Sequence, residues 1–173
     1  MIYINEVPVA GDLNLELLKR EIKAYLHKEK LVLIDQSGNI LSENKVNSLL
    51  ESSIEKDQLF LQGVKTNLLL RDFKDELILY IKKVEDYIEN VRDTEDFSTV
   101  KDSFVQIIES VLEFTSVSDF LQKDLIGQDT VKELAQKAFA QAESGNDVYI
   151  LDLIEYELLP LLNHFSEGIQ EEM

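Results

Sequence analysis

The sequence predicts an α+β fold in two parts: a small sheet-and-helix module over residues 1–65, then an antiparallel bundle of about four helices over residues 66–173. Two observations carry this. Before residue 65, short runs of β-branched and aromatic residues are interleaved with helical stretches; after it, apolar residues recur at spacings of three and four. Charge changes at the same place. Residues 1–65 hold 8 Lys/Arg against 10 Asp/Glu, and residues 66–173 hold 9 against 24.

The N-terminal elements follow in order. MIYINEVPV alternates around Asn5 and Glu6, which predicts one strand or a tight hairpin. Gly11-Asp12 breaks the chain, with Asp12 as the expected helix cap. Leu15, Leu18, Ile22 and Tyr25/Leu26 then recur at helical spacing. LVLID and IL flank Gln36, Ser37, Gly38 and Asn39, a composition suited to positive φ, so a second hairpin is expected. A short helix carrying Val46, Leu49, Leu50 and Ile54 precedes a closing strand, QLFLQGV. Strand or hairpin, helix, hairpin, short helix, strand is the order of a ubiquitin-like β-grasp module; a generic α+β sandwich is the alternative. Asp35, Ser37 and Asn39 also offer alternating oxygens. A calcium-binding EF-hand needs Gly at the sixth position and Glu at the twelfth. Here Gly38 is fourth and Val46 is twelfth, so the turn reading is preferred.

In the C-terminal part, Leu70, Phe73, Leu77, Tyr80, Val84, Tyr87 and Val91 form a heptad-like seam widened by Ile81 and Ile88. Asp93-Thr94 offers a break and a cap. Phe97, Val100, Phe104, Ile107, Val111 and Phe114 repeat the seam, Thr115–Ser118 is a candidate kink or end, and Phe120-Leu121 continue for a further turn. After Gly127, Thr130 and Glu133 form a capping box. Val131, Leu134, Ala135, Ala138, Phe139 and Ala142 make one stripe behind it. Ser144–Asp147 ends that helix and caps the next.

That last helix contains VYILDLIEYELLPLLNHF, residues 148–165. On a regular α-helix, Ile150, Leu151, Ile154, Leu158, Leu161, Leu162 and Phe165 share a broad core face, with Asp152, Glu155 and Asn163 opposite. Tyr149, Leu153, Tyr156 and Pro160 form a second stripe, with Leu159 at its edge. A helix apolar on two faces is buried on both or binds something. Tyr149, Leu153, Tyr156 and Leu159 are therefore the candidate partner-binding residues; packing of the stripe inside the chain is the competing reading. Pro160 predicts a kink, with Leu159 pushed from helical geometry.

Composition excludes several chemistries. The chain of 173 residues is 45% hydrophobic, enough to bury a core, yet carries a net charge of −17. Such charge opposes direct contact with nucleic-acid phosphates and with anionic membrane surfaces. With no cysteine there is no disulfide, thiolate zinc site or Cys nucleophile. No phosphate loop, dinucleotide fingerprint or nucleophile elbow is present. His27 and His164, the only imidazoles, lack metal-ligand spacing and suit a helix end and a polar face. Asp152 and Glu155 share a face beside Tyr156, where a bound cation and a solvated flank are both compatible. Glu155 and Glu157 point to different sides. No metal or cofactor site is expected, and no secretory leader or uncharged run long enough to span a bilayer is visible, so the expected location is cytoplasmic, without membrane insertion.

Residues 146–162, NDVYILDLIEYELLPLL, resemble the (G/N)D-Y-x-L-L-x-D-L-L-E-Y-E-L-x-P-L-L stretch that ends many small acidic proteins of Firmicutes, an uncharacterised family. The match covers Asp147, Leu151, Asp152, Leu153, Glu155, Tyr156, Glu157, Leu158, Pro160, Leu161 and Leu162. The INEVPV and LVLIDQSGNILSENKVNSLL segments are similar to the α+β start that precedes such helical regions. The resemblance implies a bacterial cytosolic protein in two parts and supplies no activity. The expected function is a non-enzymatic interaction module, adaptor or export-chaperone-like, binding another protein or itself. The alternatives are an acidic decoy occupying a basic, nucleic-acid-binding surface, and an enzyme with an unrecognised carboxylate site.

Overall fold

The structure, a computed structural model, describes residues 1–11, 14–53, 58–121 and 123–173, and of Asp119 and Phe120 the backbone. The expectations for Asp12 as a cap and Ile54 as a helix residue lie outside the described residues. The fold is α+β, a mixed four-stranded open sheet followed by a helical bundle. It divides into two compact units, Met1–Arg71 and Asp72–Met173.

In the first unit, β1 (Ile2–Ile4) and β2 (Val7–Ala10) form a tight antiparallel hairpin. Asn5 and Glu6 between them take φ of 49° and 67°, the left-handed pair that a two-residue turn of matching twist requires. Then follow α1 (Leu15–Glu29), β3 (Leu31–Ile34), α2 (Glu43–Ser53) and β4 (Leu59–Lys65). Asn14 caps α1, its side chain accepting from the Glu16 and Leu17 amides.

The sheet order is β2-β1-β4-β3, with β1 parallel to β4 and antiparallel pairing at both flanks. Asn5 secures the parallel pair: its side-chain amide donates to the Gly63 carbonyl at 2.8 Å and accepts from the Gly63 N–H at 2.9 Å. A Cβ at Gly63 would sit 3.2 Å from the Ile4 side chain. Ile2, Ile4, Leu33 and Leu61 pack with Leu18 and Ile22 of α1 and Leu50 of α2 into the core. The other face carries Tyr3 stacked on Phe60, ring centroids 4.8 Å apart.

The second hairpin expected from the sequence is a single bridge, Ile34 to Ile40. Asp35 organises the turn, its Oδ1 accepting from the Ser37 and Asn39 amides, while Gly38 takes φ 85°. Ser42 then receives the Lys45 amide on its hydroxyl and caps α2. The chain enters a helix within two residues of the bridge, so no second strand can grow.

The bundle consists of α3 (Thr66–Thr94, which begins in the first unit), α4 (Val100–Leu121), α5 (Gln128–Glu143) and α6 (Asp147–Leu153). A π-helical turn, Ile154–Leu158, then leads into α7 (Leu159–Glu172). The α3 seam is buried at Leu77, Ile81, Val84, Ile88 and Val91, and the α4 seam at Val100, Phe104, Ile107 and Val111. Phe73, Phe114 and Phe165 form an aromatic cluster, with Phe73 edge-on to the other two.

Three local expectations change. Helix α4 runs through Thr115–Ser118 to Leu121; Thr115 and Ser116 return their hydroxyls to carbonyls one turn back. The Thr130/Glu133 capping box does not form, because the cap falls three residues earlier, at Gly127 with φ 70°. Phe139 is 61% exposed, since α5 buries only the narrow line Val131, Leu134 and Ala138, and Phe139 lies about 100° from it.

Candidate functional site

The candidate surface lies on the last helical rod, α6 through α7. Gly145, at φ 73°, closes α5, and Asn146 caps α6 by accepting the Tyr149 amide. Asp147 stands in the first turn of α6, with the Lys101 ammonium 3.4 Å away. Helix α6 packs against both α4 and α5, burying Ile150, Leu151 and Leu153.

The π-turn interrupts the rod at the centre of the motif. The Leu159 N–H donates to the Ile154 carbonyl, five residues back, and Leu159 itself is helical at φ −63° and ψ −45°. The expected displacement of Leu159 by Pro160 is therefore replaced by a widened turn. Pro160 has no N–H to place and sits at the start of α7, where none is needed.

The extra residue has a geometric consequence. On a regular α-helix, the residues buried before the turn (Ile150, Leu151, Leu153, Ile154) and after it (Leu158, Leu162, Phe165, Ile169) would face directions differing by almost a quarter of a revolution. One additional residue takes up about 100° and aligns both sets on a single core. The same rotation moves Tyr156 and Pro160 out of line with Tyr149 and Leu153, which precede the turn. Leu153 is only 4% exposed, packed within the chain where α6 meets its neighbours, which for this residue is the competing reading of the stripe. Tyr149 is 37% and Tyr156 67% exposed, and Leu159 is half-buried. Pro160, exposed, is rotated away from Tyr149.

Beside Tyr156, Asp152 and Glu155 hold Arg92 of α3. Arg92 Nη2 donates to Asp152 Oδ1 and to Glu155 Oε2 at 2.6 Å each, and Nε reaches the same Glu155 oxygen at 3.2 Å. The hydrogen bond to Asp152, then that to Glu155, raises the guanidinium above its already high ordinary pKa. The three side chains are partly solvated, so the cluster contributes about 1 kcal/mol, chiefly by fixing α3 against α6. One of the two negative charges on this face is thus balanced by a cation of the same chain. Spacing revealed that they share a face; it gave no sign of Arg92, 60 and 63 residues away.

Two further concavities lie in the bundle. Tyr80, Tyr87, Ser103, Gln106 and Ser110 line a groove of about 230 Å³ between α3 and α4. Burial pushes the Tyr80 hydroxyl pKa up, and the Tyr87 hydroxyl lies 3.1 Å from Thr99 Oγ1. A larger cleft of about 500 Å³ opens where α4 ends and α5 begins. Both histidines are exposed. Among the described residues no group of three or more His, Asp or Glu is placed to hold a metal ion, and no helix is long and apolar enough to cross a membrane.

No family model, curated protein or solved structure matches this chain. The resemblance of residues 146–162 accordingly rests on their motif alone.

Proposed function

We propose that the chain is a non-enzymatic protein–protein interaction module, adaptor-like, which binds its partner through the outer side of the α6–α7 rod. One observation carries the reading. Within DLIEYELLPLL the leucines 153, 158 and 162 are buried, and Asp152 and Glu155 are occupied with Arg92, whereas Tyr156 is 67% exposed. Tyr149, 37% exposed, and the half-buried Leu159 lie on the same rod. Exposed tyrosine at a solvent boundary suits an interface, because its ring is apolar and its hydroxyl remains hydrogen-bonded to water or a partner.

The finer architecture belongs to the same proposal. We read the first unit as β-grasp-like, supported by the central parallel β1–β4 pair, the flanking antiparallel strands and the α1 connection. The bundle reads as four rods when α6, the π-turn and α7 count as one. A bacterial cytosolic setting, as the motif implies, completes the reading.

The test is capture of partners from cytosol by the full chain and by a Tyr149→Ser/Tyr156→Ser variant. Leu153 is left intact because its loss would damage the core. The expected outcome is a partner retained at high salt by the natural chain and lost by the variant. Capture that survives the substitutions and collapses with salt would instead support the acidic decoy, which the 24 acids against 9 cations of residues 66–173 favour.

A further inference from the structure

We infer that the outward side of α4 is a docking surface for a basic amphipathic helix of a partner protein. It lies on a different helix from the Tyr156 surface. The inner seam of α4 is buried at Val100, Phe104, Ile107 and Val111. A second apolar line, Val105, Ile108 and Leu112, follows at i, i+3 and i+7, about 100° round the helix from that seam. Val105 is 40% and Leu112 47% exposed, with Ile108 half-buried between them. A helix apolar on two sides is buried on both or binds something. On α4 the second side is open to solvent. Exposed aliphatic residues are ordinary when scattered. These three instead adjoin over two turns of one helix, a length of about 10 Å.

The rim selects the charge of the occupant. Asp102, Glu109 and Glu113 form a line about 90° further round α4, and all three are exposed. None of these carboxylates has an ion-pair partner among the described residues. Lys101, the cation beside Asp102, is turned to Asp147 of α6 at 3.4 Å. Residues 66–173 as a whole hold 24 acids against 9 cations, so the field around the stripe is negative.

That field decides between occupants. A second copy of this chain would bring the same acids against the rim, and an anionic membrane surface is repelled in the same way. A helix with Lys or Arg beside an apolar stripe satisfies both features. Its aliphatic side chains take Val105, Ile108 and Leu112 out of water, and its cations meet Asp102, Glu109 and Glu113. This is helix-on-helix recognition through anchors one and two turns apart.

The experiment is an amide NMR titration of the full chain with an acetylated and amidated peptide of two Leu-Lys-Lys-Leu-Leu-Lys-Leu repeats. That peptide is apolar on one helical side and basic on the other. The controls are the same peptide with Glu for every Lys, and a peptide of alternating Leu and Lys. Saturable shifts centred on the amides of α4 between Lys101 and Glu113 are expected, weakened by added salt, with neither control saturating there. Val105→Ser/Leu112→Ser and Asp102→Asn/Glu109→Gln/Glu113→Gln should each weaken binding about tenfold. Tyr149→Ser/Tyr156→Ser should leave it unchanged, which separates this surface from the one on the α6–α7 rod. The α4 substitutions alter exposed side chains, and the unfolding midpoint of each variant checks that the bundle is intact; either variant alone decides the matter. Shifts centred elsewhere, equal binding of the alternating peptide, an affinity untouched by Val105→Ser/Leu112→Ser, or self-association of the chain through α4 would overturn the inference.

Discussion

Asp35 accepts the amides of Asn39 and Ser37 at 2.9 Å each, and these bonds, that from Asn39 foremost, hold its carboxyl below the ordinary carboxylate range. A carboxylate whose pKa is lower in the folded chain than in the unfolded one stabilises the fold above its unfolded value. That stabilisation is lost as pH falls through the folded value. Asp35→Ala is therefore expected to lower the urea midpoint at pH 7. The gap between variant and natural chain should narrow below about pH 4 and close once Asp35 is protonated. A gap that is the same at both ends of a pH 7 to 3 series rules out this role. The turn itself was legible, since Gly38 and the short polar residues allow little else. That Asp35 would spend both hydrogen bonds on the turn, leaving no second strand, depended on how soon Ser42 started the next helix.

At the scale of elements, the last rod holds the main lesson. Its apolar positions predict a helix correctly, but projecting them at 3.6 residues per turn puts Leu153 on a second stripe, buried or partner-binding, with Pro160 in line with Tyr149. The π-turn removes one residue from the count. It follows that deleting Glu157, which is exposed within the turn, should convert residues 150–169 into a regular α-helix whose buried residues still face one core. Because Pro160 would then lie inside a regular helix, the comparison is made on a Pro160→Ala background, where thermal unfolding of the deletion variant is expected within about 1 kcal/mol of the undeleted chain, whereas inserting an alanine there should cost several times more. A deletion as costly as the insertion would show that the turn does more than correct phase. No local signal announces a π-turn: Pro160 marks the neighbourhood, but the widening answers to where α3, α4 and α5 place the core.

For the whole molecule, charge is the governing quantity. With 34 acids and 17 lysines and arginines, repulsion concentrated in residues 66–173 opposes compactness. Raising salt from about 0.01 M to about 0.1 M shortens the screening length from about 30 Å to about 10 Å. The midpoint of thermal unfolding is expected to rise over that range. A falling midpoint would mean that ion pairs such as Lys101–Asp147 and Arg92–Asp152 outweigh the repulsion.

The division between what was local and what was not follows from range. Helix and strand identity, the Asn5-Glu6 turn, the Asn146 cap and the two-part order depend on residues within a few positions of one another, so they are written in the chain's own periodicity and turn chemistry. The Asn5–Gly63 pair, the capture of Arg92 by Asp152 and Glu155, and the burial of Leu153 join residues according to their surroundings, often across dozens of positions. Spacing along the chain cannot encode those, because burial and partnership are properties of three packed helices at once. For the same reason the exposure of Tyr156 and the burial of Leu153, neighbours on one stripe in projection, were decided only by packing.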